Sequence, residues 1–205
     1  MSEKRYGMLI DLSACIGCSA CAVACKQEND IPLGCFNTWV ESWDAGVYPN
    51  LTRANMPKQC NHCADAPCVK VCPTGASYRT EDGVVLVDAD KCIGCKYCMA
   101  ACPYQVRWVN EAGEVDKCTF CYHRITNGLL PACVSTCVTN ARFFGDLNDP
   151  NSDISKKIAQ LGSEGLYADL GLNPSLTYVG LAATLEAPVA SAVHRGGNVL
   201  KPFKG

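Results

Sequence analysis

The chain has 205 residues, 17 of them cysteine, and a formal net charge of -2 from 18 Lys+Arg against 20 Asp+Glu. That balance excludes a broadly basic nucleic-acid binder, and the length allows one or two domains with real cores. Cysteine at this density marks disulfide scaffolds in short secreted chains, and metal or redox sites elsewhere. The segment Met1 to Gly7 has no charged start followed by a long apolar stretch and no twin-arginine pattern, so no cleavable signal is expected. No phosphate-binding loop, dinucleotide fingerprint or nucleophile constellation is present, and the sequence offers no substrate site of its own.

In chain order, the apolar run from Met8 reads as a short strand, followed by Asp11, a turn, a cysteine loop and a helix start. The loop carries Cys15, Cys18, Cys21 and Cys25 in C-x2-C-x2-C-x3-C spacing. Asn37 to Arg53, with Trp39 and Trp43, reads as a connection to a second quartet, Cys60, Cys63, Cys68 and Cys72, which is followed by Pro73. "SYRTEDGVVLVD" from Ser77 has the alternation and Asp-Gly turn of a hairpin. A third quartet, Cys92, Cys95, Cys98 and Cys102, repeats the first spacing and precedes Pro103. "VRWVNEAGEVDKC" predicts a second hairpin turning near Ala112 and Gly113, and it leads into the fourth quartet, Cys118, Cys121, Cys133 and Cys137. Beyond it, Asp153 to Leu161 reads as a short helix and Leu176 to Gly180 as a strand, and the end after Ala192 is expected to lie over a surface. The apolar stretch from Leu176 to Val193 is broken by Glu186 and Pro188, so no membrane span of the chain's own is expected.

Two internal repeats organise these elements. "MLIDLSACIGCSACAVAC" from Met8 aligns without a gap to "VLVDADKCIGCKYCMAAC" from Val85, and "APCVKVCPTGA" from Ala66 matches "PACVSTCVTNA" from Pro131. Three thiolates on a tight loop reach three corners of a cubane, and the C-x3-C step starts a helical turn that carries the fourth away from it. Quartets related by pseudo-symmetry can therefore exchange fourth ligands, the two-cluster ferredoxin arrangement. Gly17 and Gly94 would let the backbone approach a cluster at positive φ. Pro73 and Pro103 redirect the chain after the last cysteine. Zinc is the alternative for an isolated C-x2-C pair, whereas cysteines two residues apart are poor disulfide partners for each other.

The expected fold class is α+β: two ferredoxin-like modules, each with two 4Fe–4S clusters, irregular loops and a C-terminal extension. The expected units are residues 5–54, 55–82, 83–112 and 113–150, with 151–205 as the extension. Such modules have little apolar core, so cluster ligation must supply much of the folding free energy. His62 and His123 lie in the cysteine loops, where hydrogen bonding to a sulfur or to solvent is expected and ligation is not. Cys35 is left over as a buried thiol. Lys26, Lys70 and Lys96 stand near the quartets, either tuning cluster potentials or simply solvated.

The segments "CNHCADAPCVKVCPTGA", "CIGCKYCMAACPY" and "KCTFCYHR…PACVSTC" together resemble the iron–sulfur (beta) subunit of the molybdopterin oxidoreductase family over about residues 5 to 150. "IDLSACIGCSACAVACKQEN", "CPTGASY" and "CTFC…FGDL" bring the resemblance closest to the iron–sulfur subunit of polysulfide reductase, beside those of the dimethyl sulfoxide, thiosulfate and tetrathionate reductases. Val138 departs from that pattern where relatives usually have proline, and residues 160–205 do not match it.

The resemblance implies that the first unit packs with the fourth and the second with the third. It implies cluster 1 on Cys15, Cys18, Cys21 and Cys137, and cluster 2 on Cys118, Cys121, Cys133 and Cys25. Cluster 3 would use Cys60, Cys63, Cys68 and Cys102, and cluster 4 would use Cys92, Cys95, Cys98 and Cys72. The implied function is electron transfer between a molybdopterin catalytic subunit and a membrane quinone-reactive subunit in anaerobic respiration, with a sulfur compound as terminal substrate. The chain itself would be non-catalytic and held at the membrane through its partners, on the periplasmic face, with the cytoplasmic face as the alternative. A polyferredoxin-like subunit of a hydrogenase or formate dehydrogenase complex is the alternative with the same chemistry, and a zinc-structured interaction module is the alternative from another class.

Overall fold

An uninterrupted apolar run suits a strand covered on both faces, and Met8, Leu9 and Ile10 are fully buried within β1 (Tyr6–Asp11). The computed structural model describes residues 4–186 and 189–191. After β1 come α1 (Ala20–Glu28), β2 (Thr38–Val47), β3 (Asn50–Gln59), α2 (Pro67–Lys70), β4 (Ser77–Arg79) and β5 (Val85–Val87). The chain continues through α3 (Tyr97–Ala100), β6 (Arg107–Val109), β7 (Val115–Lys117), α4 (Tyr122–Ile125), α5 (Ala132–Ser135) and β8 (Arg142–Asp146). Then follow α6 (Asp153–Leu161), β9 (Leu176–Val179), α7 (Leu181–Glu186) and β10 (Val189–Ser191).

The fold mixes short helices and strands around the cysteine loops. β1 is the middle strand of a sheet ordered β8-β1-β9. It runs antiparallel to β8, from Tyr6 opposite Asp146 to Ile10 opposite Arg142, and parallel to β9, from Met8 beside Leu176 to Asp11 beside Val179. The strand before the first quartet is thereby paired with the strand after the fourth, and α1 packs on α5. The middle quartets are joined by α2 packing on α3. Both expected short hairpins form. β4–β5 turns through Gly83 and β6–β7 through Gly113, each at positive φ (+87° and +86°).

The segment read as a connection between the first two units is a long antiparallel hairpin, β2–β3, in register from Thr38 opposite Gln59 to Val47 opposite Asn50. Its strands carry many polar residues, and Pro57 argues against a central strand. β3 is an edge strand of the β10-β2-β3 sheet, where proline is tolerated. Trp39, Val40 and Met56 from this hairpin are buried in the main core.

The helix and strand expected after the fourth quartet both form, and they belong to the body of the protein. The Ser152 hydroxyl caps α6 by accepting from the Ser155 N–H at 3.2 Å, and Ile154 is fully buried. On β9, Leu176 and Tyr178 are buried, and the Tyr178 hydroxyl donates to the Pro57 carbonyl at 2.9 Å. The end after Ala192, expected to lie over a surface, falls outside the described residues. Among the described residues no helix is long and apolar enough to cross a membrane.

The core incorporates the thiols themselves. Met8, Ile10, Val84, Val85, Phe120 and Leu176 pack in one cluster with Cys21, Cys60, Cys63, Cys68, Cys98, Cys118 and Cys133. The repeat is visible in the backbone of the cysteine loops. Gly17 and Gly94 adopt φ +71° and +66°, and two residues later Ser19 and Lys96 adopt +60° and +64°. A Cβ on Gly94 would stand 2.5 Å from the Gly113 carbonyl oxygen, so the third cysteine loop rests directly on the β6–β7 turn.

Two glycine substitutions and one core truncation test this packing. Gly94→Ala combines an unfavourable φ with a clash against backbone and should cost roughly 1–3 kcal/mol, while Gly113→Ala, where a Cβ meets open space, should cost about 1 kcal/mol. Leu176→Ala should cost about 2–5 kcal/mol if β9 is an integral core strand. Anaerobic thermal unfolding of the purified protein reads all three, and a Leu176→Ala variant as stable as wild type would place β9 outside the cooperative fold.

Candidate metal centres

The cysteine loops double back on themselves through their positive-φ residues, which turns three thiols of each loop toward one point. Cys15, Cys18 and Cys21 line a cavity together with Cys137, which arrives from the end of α5. Cys118, Cys121 and Cys133 line another with Cys25 of α1. Cys92, Cys95 and Cys98 line a third with Cys72, from the end of α2. A fourth group, Cys60, Cys63, Cys68 and Cys102, is close enough that the other three oppose ionisation of Cys63. In every group three thiols come from one unit and the fourth from another.

Among the described residues, no three His, Cys, Asp or Glu side chains converge tightly enough to hold a single metal ion. Four thiols spaced around a cavity suit a polynuclear cluster with one iron at each corner better than one tetrahedral zinc.

Burial, with repulsion from neighbouring cysteines, pushes up the thiols of Cys15, Cys25, Cys63, Cys98, Cys102, Cys118 and Cys133. Burial, then the neighbouring cysteines, push Cys63 up to about 12, and Cys133 is pushed up to about 11 although Arg142 opposes the shift. Cys25 and Cys118 move the same way for the same reasons. Such thiols become thiolates only against positive charge. Some of the protein's own dipoles already favour that form. Backbone N–H groups donate to sulfur from Ser77 to Cys72 at 3.3 Å, from Ala141 to Cys137 at 3.2 Å and from Phe120 to Cys118 at 3.4 Å. Burial works against ionisation of Cys72, but hydrogen bonds from Ser77, Thr74 and Ala76 hold it below the usual thiol value. The Asn29 amide reaches the sulfurs of both Cys25 and Cys121, at 3.5 and 3.8 Å.

The other residues singled out in the sequence are distributed as follows. Lys26 donates to the Pro32 and Cys35 carbonyls at 2.7 and 2.6 Å and stands over the Phe36 ring, so it braces the loop that carries Cys35. Cys35 is half-buried against Cys25, Ile31 and Trp108. Lys70 pairs with Asp65 on the surface. Lys96 lines the cavity of Cys72, Cys92, Cys95 and Cys98. His62 is fully buried, accepts from the Val85 N–H at 3.0 Å and stacks on Phe120 at 3.7 Å, and burial holds it neutral. His123 pairs with Glu28 at 2.8 Å, a contact that links α4 to α1.

Sequence reasoning missed two buried arginines. Arg107 opens β6 and Arg142 opens β8, each at most 5 % exposed. Each stands five positions after the last cysteine of a quartet, in "CPYQVR" and "CVTNAR", a regularity that cysteine spacing alone does not bring out.

Comparison with known proteins agrees with the site. The 4Fe-4S dicluster domain family matches residues 52–147, and the 4Fe-4S binding domain family matches residues 6–27. The B subunit of tetrathionate reductase from Salmonella typhimurium is 45 % identical over 91 % of this chain and 77 % of its own length. The iron–sulfur B component of a dimethyl sulfoxide reductase, so named by inference in Halobacterium salinarum, is 43 % identical, covering 85 % of this chain and 79 % of its own. The B subunit of sulfite dehydrogenase from Allochromatium vinosum is likewise 43 % identical, over 85 % of this chain and 82 % of its own. Cysteine groups that could each hold a cubane, two matching 4Fe–4S families and relatives spanned over most of their length lead to one assignment: the protein belongs to the family of 4Fe–4S electron-transfer subunits of oxidoreductase complexes.

Proposed function

We propose that the chain holds four 4Fe–4S clusters in a row and carries electrons between a molybdopterin catalytic subunit and a membrane quinone-reactive subunit, in the anaerobic respiration of a sulfur compound. Cluster 1 takes Cys15, Cys18, Cys21 and Cys137, and cluster 2 takes Cys118, Cys121, Cys133 and Cys25. Cluster 3 takes Cys60, Cys63, Cys68 and Cys102, and cluster 4 takes Cys92, Cys95, Cys98 and Cys72. The single observation that carries this reading is the sharing of each thiol group between two units. When bound, a cubane supplies a one-electron redox couple.

The neighbour relations of the thiols favour the order 1-2-3-4. Cys21 is near Cys25 and Cys133, Cys118 is near Cys60, and Cys68 is near Cys98. Cys118, Cys60, Cys63 and Cys68 are buried, while Cys18 and Cys95 are exposed, so the two ends of the row reach the surface and the middle is shielded from water. That is the distribution a conduit between two partners requires. The two partners themselves, and the sulfur-compound substrate, are inferred from relatives such as the tetrathionate and dimethyl sulfoxide reductase subunits.

Anaerobically purified protein should contain iron and acid-labile sulfide in near-equal amounts. Cys25→Ser should then damage the cluster built on Cys118, Cys121 and Cys133 and spare the one on Cys15, Cys18 and Cys21. Electron paramagnetic resonance of the reduced variant decides, and a loss confined to the Cys15 group would refute the crossover. A colourless, zinc-replete preparation would instead favour a zinc-structured module.

We further infer attachment to the periplasmic face of the membrane through the partner subunits. In fractionated cells the chain should follow the catalytic partner, and deleting that partner's export signal should leave it in the cytoplasm. Retention among cytosolic markers with the partner intact would contradict this location.

A further inference from the structure

Arg107 and Arg142 are buried charges without a carboxylate. Among the described residues the ion pairs are Arg53–Asp44, Lys58–Glu41, Lys70–Asp65, Lys91–Asp88 and the Glu28 contacts with His123 and Arg124. Neither buried guanidinium takes part in them. Arg142 donates to Gln59 Oε1 at 2.6 Å and to Thr38 Oγ1 at 3.2 Å, both neutral. Arg107 donates to Ser77 Oγ at 3.0 Å, and its Nη1 is buried with no partner among the described residues. A guanidinium removed from water and left uncompensated is strongly unfavourable, so each of these must face negative charge that the carboxylates do not supply.

The surroundings of each arginine identify that charge. Arg142 lines the cavity of Cys15, Cys18, Cys21 and Cys137, and its field also reaches Cys25 and Cys133 of the adjoining group. Arg107 is held by Ser77, which lines the cavity of Cys72, Cys92, Cys95 and Cys98 and whose N–H donates to Cys72, and its field reaches Cys98 and also Cys60, Cys68 and Cys102 of the adjoining group. Each arginine therefore borders two thiol groups, Arg142 those of clusters 1 and 2 and Arg107 those of clusters 3 and 4. Both stand at the first residue of the strand that follows a quartet.

We propose that Arg142 and Arg107 are the shared counter-cations of the two cluster pairs, positioning residues that raise the reduction potentials of both clusters they border. The inference rests on the four-cluster reading given above. A cubane on four thiolates carries roughly two negative charges when oxidised and gains another on reduction. A fixed cation in a low-dielectric interior favours the added electron. Lys26 and Lys70, held by loop carbonyls and by Asp65, are less suited to this role.

The test is a redox titration of the whole cluster-loaded protein, followed by electron paramagnetic resonance, for Arg142→Met and Arg107→Met. Each variant should lower the midpoints of its own pair by at least a tenfold change in the oxidised-to-reduced ratio, about 59 mV for one electron, and leave the other pair in place. Lysine at the same position should recover most of the shift because it keeps the charge. Full cluster content with midpoints changed less than twofold, or an equal shift in all four clusters, would overturn the proposal. If the methionine variant loses iron from its pair, Arg→Gln and Arg→Lys decide: retention only with lysine supports a requirement for charge, and loss with lysine as well rejects it. Failure of the underlying reading is separately visible, since wild-type protein would then lack cubane signals altogether.

Discussion

Sixteen thiols crowded into a chain of this size repel one another as thiolates, and the fold is organised around that repulsion. Each group of four draws three members from one loop and the last from another unit. No unit can therefore complete a site alone, and the units must be packed in a particular way for any site to exist. β1 beside β8, α1 against α5 and α2 against α3 are the packing contacts that bring the crossing cysteines within reach. Thiols share the interior with the apolar side chains, and backbone N–H groups are directed at several of the sulfurs.

This organisation also explains how the groups come to be close to one another. A helical turn that begins at one site and ends at the next spans the gap between neighbouring sites, so the C-x3-C step sets their separation. Cys21 and Cys25 lie on the same helix α1 and serve different groups. Electron transfer needs such closeness, and the geometry that provides it is the same geometry that holds the units together. His62 on Phe120 joins the loop of the second quartet to that of the fourth through a ring stack beside the Cys60 and Cys118 loops.

Much of this was legible in the sequence. The quartets, the gapless repeat and the Asp-Gly turn are local patterns, and local patterns determine the loops, the two short hairpins and β1. Two features were hidden. The β2–β3 hairpin has no clean alternation, because one of its strands is an edge strand that tolerates Pro57 and polar residues. The buried arginines carry no signal at the level of residue type, since arginine is ordinarily exposed and only its position relative to the cysteines marks it. Both omissions concern tertiary compensation: what covers the cysteine loops and what balances their charge. The identity of β9 as a partner of β1 was equally out of reach, because a parallel pairing between residues so distant leaves no local trace.

The order of the crossings along the chain has a consequence for biosynthesis. Cys72, Cys92, Cys95 and Cys98, and likewise Cys60, Cys63, Cys68 and Cys102, lie within one continuous stretch, whereas Cys15 waits for Cys137 and Cys25 for Cys133. The groups are nested like parentheses. As the polypeptide leaves the ribosome, the inner parentheses can close while the outer ones stand open, and β9, which flanks β1, emerges later still. On the proposed ligand assignment the inner groups can be completed first, and the thiols of the amino-terminal loop gain their crossing partners only when most of the chain has been made.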